Sequence, residues 1–158
     1  MEHFYQTCKA HGLKITPQRM TIYKALKGLK THPSADIIHK QVCRDFPGIS
    51  LDTVNRTLLT FSKIGMIDMV EGHGDPRRFD PNLEDHHHFY CLNCNTIFDI
   101  YDASRNAISI PKSVERSFKI TNKRVCLQGY CRKCQVQAGS ASEAADENTI
   151  PVLTDNTF

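Results

Sequence analysis

Apolar residues recur with the period of an α-helix in four segments of the first half of the chain. The second segment opens at Thr16-Pro17, where a hydroxyl that can cap a helix precedes a proline suited to the first helical position. Residues 17–29 follow with their apolar side chains on one face. A shorter helical pattern covers residues 2–11, so the pattern predicts two helices at the start of the chain.

Two further helices are predicted, each after a serine that can cap it. The first has apolar residues at every fourth position and ends at a Pro-Gly pair: Ser34, Ile38, Val42, Phe46 and Pro47-Gly48. The second follows Ser50, covers residues 51–64 and ends at Gly65. Because the connection between these helices is short, they fit a helix-turn-helix with residues 51–64 as the recognition helix.

The next segment has the pattern of a two-stranded hairpin. Its strands are predicted at residues 66–71 and 77–80, and a glycine-rich turn is predicted at residues 72–76. Three packed helices followed by a basic hairpin predict a winged helix over residues 1–80. The polar, turn-rich segment 81–85 is predicted to be a hinge to a second domain.

A second, smaller domain is predicted over residues 86–135. Three strands are expected there, the first two on either side of a cysteine pair: 87–91, 96–101 and 118–130. A helix between them should begin or break near Pro111, because a proline inside a helix costs ~3 kcal/mol. Residues 136–158 contain few large apolar side chains, so a disordered tail is expected.

The charge of the chain is unevenly distributed. The net charge is +3, but residues 136–158 hold four acidic and no basic residues, which leaves 20 basic and 13 acidic residues, or +7, in residues 1–135. That excess favours a polyanionic partner such as nucleic acid. No segment approaches the roughly 20 apolar residues of a membrane span, and the N-terminus lacks the pattern of a signal peptide. We therefore expect a soluble cytoplasmic protein with no membrane partner.

Seven cysteines include two Cys-x-x-Cys pairs, Cys91 with Cys94 and Cys131 with Cys134. Each pair lies beside a turn in what is predicted to be an antiparallel strand arrangement, which suits four thiolates around one tetrahedral zinc ion. The alternatives are a rubredoxin-like iron centre, a thiol redox pair and unrelated free thiols. Structural zinc is the interpretation that the spacing favours, since it would close a whole subdomain.

The run Asp85-His86-His87-His88 is the second metal-binding pattern. Alternate residues of a strand point to the same face, so His86 and His88 can reach one ion together. A solvated loop or a tag remnant would also contain such a run, but its internal position argues against a tag. Candidate additional ligands are Asp80, Asp99 and His32.

Several of these motifs together resemble those of the ferric uptake regulator family in order and spacing. The matching segments extend over residues 1 to about 135 and are His32-Pro33 with Asp36, Asp52-Thr53-Val54, Arg78-Phe79-Asp80, Asp85-His86-His87-His88, and Cys91-x-x-Cys94. The resemblance implies an α+β fold, with an N-terminal winged helix-turn-helix domain that binds DNA and a small C-terminal α/β dimerisation domain with structural zinc. It also implies two sets of metal ligands. Cys91, Cys94, Cys131 and Cys134 would hold structural zinc, and His32, Asp80, His86, His88 and Asp99 would form a regulatory site.

The regulatory site indicates which branch of the family the chain resembles. Three histidines and two carboxylates suit Fe(II) or Mn(II) better than tetrahedral zinc. The resemblance implies aspartate at the position of Asp99 in peroxide sensors and usually glutamate in iron sensors. A further family metal site is expected to be degraded, because Asn106 and Lys123 lie near the positions of its ligands.

The family resemblance implies a metal-controlled switch. Metal bound by both domains would favour the arrangement in which a homodimer binds its double-stranded DNA operator, so the metal is a corepressor. In the peroxide branch, bound Fe(II) reacts with hydrogen peroxide and His32 or His86 is oxidised, which releases the DNA. An iron-responsive repressor of metal uptake is the alternative.

Several polar and basic residues are candidate DNA contacts. On the recognition helix, the predicted major-groove contacts are Asp52, Thr53, Asn55, Arg56 and Thr57. Candidate phosphate contacts are Lys14, Arg19, Arg77 and Arg78. Family members commonly have tyrosine at the position of Asn55, so a hydrogen-bonding side chain replaces an aromatic contact with a thymine methyl, and the operator sequence does not follow from the resemblance.

Two other classes of protein share part of this pattern. A non-haem iron metalloenzyme would use a similar histidine and carboxylate site. A zinc-stabilised interaction module would use only the cysteines. Both leave the helix-turn-helix and the basic hairpin without a role, and the sequence has no phosphate loop, nucleophile elbow or His-Glu-x-x-His segment. The sequence therefore predicts a regulator and not an enzyme.

Overall fold

The chain divides into two units between Glu84 and Asp85. The computed structural model describes residues 1–29, 31–70, 76–101, 109–121 and 123–137. Helices and small sheets both occur within these ranges. Among the helices described, none combines the length and the apolar character that crossing a membrane requires.

The first unit begins with four helices. They are α1 (Glu2–Ala10), α2 (Pro17–Gly28), α3 (Ala35–Val42) and α4 (Leu51–Lys63). The predicted caps act at two of them, because Thr16 Oγ1 accepts from the Arg19 N–H at 3.3 Å and Ser50 Oγ accepts from the Thr53 N–H at 3.1 Å. Ser34 occupies the cap position of α3 but makes no side-chain capping bond.

Helix α3 is shorter than the apolar pattern predicted. It ends at Val42, and the following turn is built from bonds such as Asp45 N–H to the Val42 carbonyl at 3.0 Å. Phe46 still packs against the core, which explains the apolar repeat at its position. The residue before a proline disfavours helical backbone, so Pro47 adds to the early end of the helix.

Helix α4 ends at a glycine that turns the chain toward the first hairpin. Gly65 has φ +68, and the bonds from Gly65 N–H to the Ser62 carbonyl and from Met66 N–H to the Phe61 carbonyl form a Schellman cap. Strands β1 (Asp68–Val70) and β2 (Arg78–Asp80) then pair antiparallel. The winged-helix order is therefore present, although residues 71–75, which include most of the predicted turn, lie outside the described part of the chain.

An aromatic trio fixes α4 against the helices before it. Phe4, Tyr23 and Phe61 are buried, and the Phe61 ring lies edge-on to both others at centroid distances of 6.0 and 6.1 Å. Val54 and Leu58 extend the buried face of α4 toward its N-terminus. Because this face is fully covered, the polar face of α4 has a fixed direction within the unit.

The second unit contains a three-stranded sheet in the order β4-β3-β5. Its elements are β3 (His87–Cys91), β4 (Ile97–Ile100), α5 (Lys112–Ser117), β5 (Cys126–Gly129) and α6 (Arg132–Gln137). Strands β3 and β4 pair antiparallel, but β3 and β5 pair parallel, so the predicted antiparallel arrangement of the cysteine segments is wrong for the second pair. Parallel strands require a crossover connection, and α5 lies in that connection.

The other elements of this unit refine the predicted boundaries. Pro111 precedes the first residue of α5, which confirms that the helix begins near this proline. The third strand is shorter than the predicted residues 118–130. Helix α6 was not predicted and includes Val136 and Gln137, so the predicted tail does not begin at residue 136. Residues 138–158 lie outside the described part of the chain.

Candidate metal sites and DNA-contacting surface

Four cysteines of the second unit converge on one point. Cys91 ends β3, Cys94 lies in the turn before β4, and Cys131 and Cys134 lie at the start of α6. All four sulfur atoms lie within 4.8 Å of one another. Cys94 Sγ and Cys131 Sγ are 3.9 Å apart, close to the edge of about 3.8 Å expected for four sulfurs at 2.3 Å from a zinc ion. All seven cysteines are free thiols, so no disulfide competes with this arrangement.

The protonation of these thiols is unequal. Burial raises the pKa of Cys91, but hydrogen bonds from the backbone of Cys131, Cys94 and Asn93 and from the Cys94 side chain outweigh it and lower the pKa to about 6. At Cys134 the Asn93 side chain lowers the pKa, whereas burial and the other three cysteines raise it to about 12. Four sulfurs this close carry four negative charges only with a cation among them, so the donor set fits a divalent metal.

Polar neighbours that sequence reasoning missed orient the cysteine cluster. The Cys131 N–H donates to Cys91 Sγ at 3.3 Å, and the Cys94 thiol donates to Thr96 Oγ1 at 3.1 Å. Asn95 adopts a left-handed conformation with φ 56, which turns the chain from β3 into β4, and its side chain accepts from Tyr90 Oη at 2.7 Å. An Asn after a Cys-x-x-Cys pair was the available signal for this turn.

Two histidines and one aspartate form a second cluster within the same unit, the His86–His88–Asp99 triad. His86 and His88 are buried, and their Nε2 atoms are 2.8 Å apart. Asp99 lies directly opposite His88 in the β3–β4 register, with Oδ1 3.7 Å from His86 Nε2 and 3.9 Å from His88 Nε2. These spacings suit ligands that share one ion, since two nitrogens at ~2.1 Å from a metal and at right angles are about 3 Å apart. The predicted alternation of the histidines is confirmed.

Tyr101 is a further neighbour of the triad that sequence reasoning missed. Its hydroxyl donates to Asp99 Oδ2 at 3.3 Å, and its ring lies 5.7 Å from the His86 ring. The tyrosine hydroxyl binds Oδ2 of Asp99, whereas Oδ1 is the oxygen near the two histidines. It therefore orients Asp99 as groups outside a metal's ligand shell usually do.

His32 and Asp80 meet within the first unit. A bridge between Ser34 and Arg78 lays the segment after His32 along β2, and Phe79 N–H donates to the Pro33 carbonyl at 3.0 Å. His32 Nε2 is consequently 3.6 Å from Asp80 Oδ2, and both residues are buried. Asp80 Oδ1 accepts from the Asn82 N–H at 2.7 Å, which directs the other carboxylate oxygen toward the histidine.

Of the two residues associated with a degraded third site, Asn106 lies outside the described part of the chain. Lys123 is half-buried in the loop before β5 and lines a shallow depression together with Glu115 and Phe118.

The predicted base-reading residues lie along one helix. Asp52, Thr53 and Arg56 of α4 are exposed, whereas Asn55 and Thr57 are half-buried. Asp52 Oδ2 accepts from Arg56 Nε at 2.9 Å. The Thr57 hydroxyl donates to the Thr53 carbonyl at 2.8 Å, so that hydroxyl stabilises the helix itself.

The predicted phosphate contacts differ in exposure and in the hydrogen bonds that they make within the protein. Lys14 and Arg77 are exposed. Arg19 is half-buried and donates to the Lys14 carbonyl. Arg78 is also half-buried, and its Nη1 donates to the His32 carbonyl at 3.3 Å, so this arginine supports the segment that carries His32. Its structural contact could not be seen in the sequence because the two residues are 46 positions apart.

Comparisons with known proteins agree on one family. The model of the ferric uptake regulator family matches residues 10–128. The peroxide-responsive repressor PerR of Staphylococcus aureus (strain Mu50 / ATCC 700699) is 33% identical over 135 residues, which cover 85% of this chain and 91% of that protein. The Helicobacter pylori ferric uptake regulator Fur has a TM-score of 0.70 and 25% identity, over 89% of this chain and 93% of that one.

A peroxide stress regulator of Campylobacter jejuni has a TM-score of 0.63 and 30% identity, over 82% of this chain and 98% of that one. These likenesses confirm the α+β fold predicted from the sequence. The family model spans most of the chain, and the predicted motifs fall within it. The chain belongs to the ferric uptake regulator family.

Proposed function

We propose that the chain is a metal-dependent, peroxide-responsive repressor that binds a duplex DNA operator as a homodimer in the cytoplasm. The observation that carries this proposal is the His86–His88–Asp99 triad, an N/O ligand set with both imidazoles buried, in a chain whose other unit is a winged helix. The Staphylococcus PerR and the Campylobacter peroxide stress regulator support the peroxide branch.

Structural zinc is the first part of the proposal. Four thiolates, those of Cys91, Cys94, Cys131 and Cys134, would hold it. They would connect the β3–β4 turn to the start of α6, two segments that are far apart in the sequence. A site with four protein ligands has no open position, so its role is to stabilise the fold and not to react.

A regulatory ion is the second part. We assign it to His32 and Asp80 of the first unit together with the His86–His88–Asp99 triad of the second. Three imidazoles and two carboxylates suit Fe(II) or Mn(II). An arrangement of the units that brings all five ligands to the ion would bind metal more tightly than other arrangements. Metal would therefore shift the population toward that arrangement. In a homodimer this arrangement fixes the spacing of the two recognition helices, so metal acts as a corepressor.

Peroxide sensing depends on the two histidines. When bound, Fe(II) would catalyse oxidation by hydrogen peroxide, which Mn(II) does not readily do. One peroxide oxygen would enter an imidazole C–H bond, the ring would give up the two electrons, and the other oxygen would leave as water. His32 and His86 would take up oxygen on their imidazole rings, and an oxidised imidazole is a poor metal ligand. The loss of one imidazole would weaken metal binding, and with it the arrangement of the units that binds DNA, so the DNA would be released.

An iron-responsive repressor of metal uptake is the second candidate, and the likeness to the Helicobacter Fur favours it. Asp99 distinguishes the two. Its short carboxylate already places Oδ1 within 4 Å of both triad imidazoles. The family resemblance associates aspartate here with peroxide sensing, so we prefer that branch. A non-haem iron enzyme would leave the winged helix unused, and we propose no enzymatic activity.

The proposed function is tested by DNA binding of the full-length, zinc-replete chain. Its affinity for a duplex selected from a random-sequence pool is measured by fluorescence anisotropy during a Mn(II) titration. Wild type should gain affinity with metal. His88→Ala should lose that gain, and His3→Ala should keep it because His3 is an exposed residue of α1 outside either metal-ligand cluster. An affinity for DNA that neither Mn(II) nor a chelator changes would contradict the proposal.

A further inference from the structure

Helix α4 carries an acidic side chain on its exposed face, Asp52, where a DNA-binding helix would meet polyanionic phosphates. Its Oδ2 atom accepts from Arg56 Nε at 2.9 Å, and the two side chains are 65% and 78% exposed. A surface pair of this kind, one helical turn apart, contributes little to stability. The ion pair therefore matters mainly because it orients the Arg56 side chain.

The contact decides which edge of the guanidinium remains for a ligand. An arginine can bind two acceptors through Nε and one Nη, or through both Nη atoms. Because Asp52 binds Nε, the edge formed by the two Nη atoms is the one left for a ligand. Asp52 is the only described residue whose side chain bonds to this guanidinium.

Neighbouring hydroxyls on α4 are already used within the helix. Thr57 and Thr60 donate to the carbonyls of Thr53 and Arg56, each at 2.8 Å. Thr53 Oγ1 lies 2.8 Å from Ser50 Oγ at the helix cap. The exposed Asp52–Arg56 pair is thus the charged group near the N-terminus of α4, and it presents an acceptor beside two donors.

In the major groove, a G·C base pair shows two acceptors, guanine N7 and O6, beside one donor, cytosine N4. We propose that Asp52 is a positioning and specificity-determining residue that makes the recognition helix select a G·C pair. Arg56 binds N7 and O6 through its two Nη atoms, and the second Asp52 oxygen accepts from N4 of the paired cytosine. This inference rests on the proposed function, since it requires that α4 enters the major groove of an operator.

The pairing explains selectivity as well as binding. If A·T replaces G·C, the adenine amino group meets the arginine donors and thymine O4 meets the carboxylate. One contact then places a donor against a donor, and the other places an acceptor against an acceptor. A good bidentate contact discriminates against the wrong base by roughly 5- to 150-fold. Without Asp52 the guanidinium turns freely and also reaches phosphates, so sequence preference falls while general DNA affinity rises.

The test uses the full-length, Mn(II)-loaded chain and a pool of random-sequence duplexes. Sites are selected with wild type and with the Asp52→Asn, Asp52→Ala and Arg56→Lys variants. Asp45→Asn is the matched control, because it removes the same charge from the exposed turn before α4. Asp52→Asn preserves the side-chain volume, and circular dichroism checks that each variant is folded. Affinities are then measured for the selected site, for that site with the G·C pair replaced by A·T, and for random duplex.

We expect wild type and Asp45→Asn to retain an invariant G·C pair and to discriminate against A·T there by about 5- to 150-fold. Both Asp52 variants should discriminate less than about 3-fold and bind random duplex more tightly, and Arg56→Lys should lose the preference despite its charge. Selected sites without an invariant G·C pair, or Asp52 variants that keep the preference, would overturn this inference alone. If the Mn(II)-loaded wild type enriches no sequence, the proposed function fails and this inference fails with it.

Discussion

Substitution of Cys91 by serine tests the structural zinc site with little change in side-chain volume. Cys91 is fully buried at the end of β3, and its sulfur accepts from the Cys131 N–H at 3.3 Å. A serine hydroxyl can still accept that bond, but it is not a thiolate. The substitution therefore removes one of four zinc ligands and leaves the surrounding contacts largely intact.

The size of the effect follows from the ligand set and from the burial around it. Structural zinc binds four ligands with an apparent free energy of about 10–16 kcal/mol, so one ligand contributes about 2.5–4 kcal/mol. Zinc affinity should fall by roughly two to three orders of magnitude. Among the described residues of the second unit, the buried apolar side chains are Tyr90, Cys91, Ile97 and Cys134. So small a core depends on its metal, and a loss of this size is a large fraction of an ordinary domain's stability.

The assay compares Cys91→Ser with Cys126→Ser. Cys126 is an exposed thiol on β5 outside the cysteine cluster, so the same substitution there is a matched control. Zinc content is measured after dialysis against a competing chelator, and thermal unfolding is followed by circular dichroism. Cys91→Ser should lose zinc and melt at a lower temperature, whereas Cys126→Ser should match wild type. Stoichiometric zinc and unchanged melting in Cys91→Ser would refute the assignment.

Three further variants test the fold, the DNA contact and the sensor. Phe61→Ala should lower the free energy of unfolding of the first unit by about 3–5 kcal/mol in urea titrations, and the 68% exposed Phe118 should tolerate the same change. Equal effects would contradict the packing described for α4. Asn55→Ala should weaken binding to a selected operator by about 1–3 kcal/mol with little change on random duplex, and equal losses on both would make Asn55 a backbone contact. Asp99→Glu should keep Mn(II)-dependent DNA binding but respond more weakly to peroxide, and an undiminished response would remove the role given to the shorter carboxylate.

Local signals explain why the first unit was largely predictable from sequence. The Thr16 and Ser50 caps, the Gly65 stop and the apolar period of α4 each act over a few residues, and each is present in the structure. The convergence of the candidate metal ligands within the second unit was predictable for a similar reason. Cys-x-x-Cys spacing and the alternation of His86 and His88 fix which side chains share a face before any long-range contact forms.

Long-range contacts explain what the sequence did not reveal. The parallel pairing of β3 with β5 depends on a crossover and not on the composition of either strand. Arg78 reaches the His32 carbonyl across 46 positions, so a predicted phosphate contact proved also to be a structural one. The early end of α3 has a local cause instead, the turn bond from Asp45 N–H to the Val42 carbonyl shortly before Pro47.

The most direct test of the proposed peroxide sensor compares the Fe(II)-loaded and Mn(II)-loaded forms of the full-length chain on a selected operator. Dilute hydrogen peroxide is added under anaerobic conditions, DNA release is followed by anisotropy, and oxygen incorporation is mapped by mass spectrometry. The Fe(II) form should leave the DNA with one oxygen added at His32 or His86, while the Mn(II) form stays bound and unmodified. Equal responses of the two forms with oxidation at cysteine, or no response while binding still follows free iron, would contradict the proposed sensor.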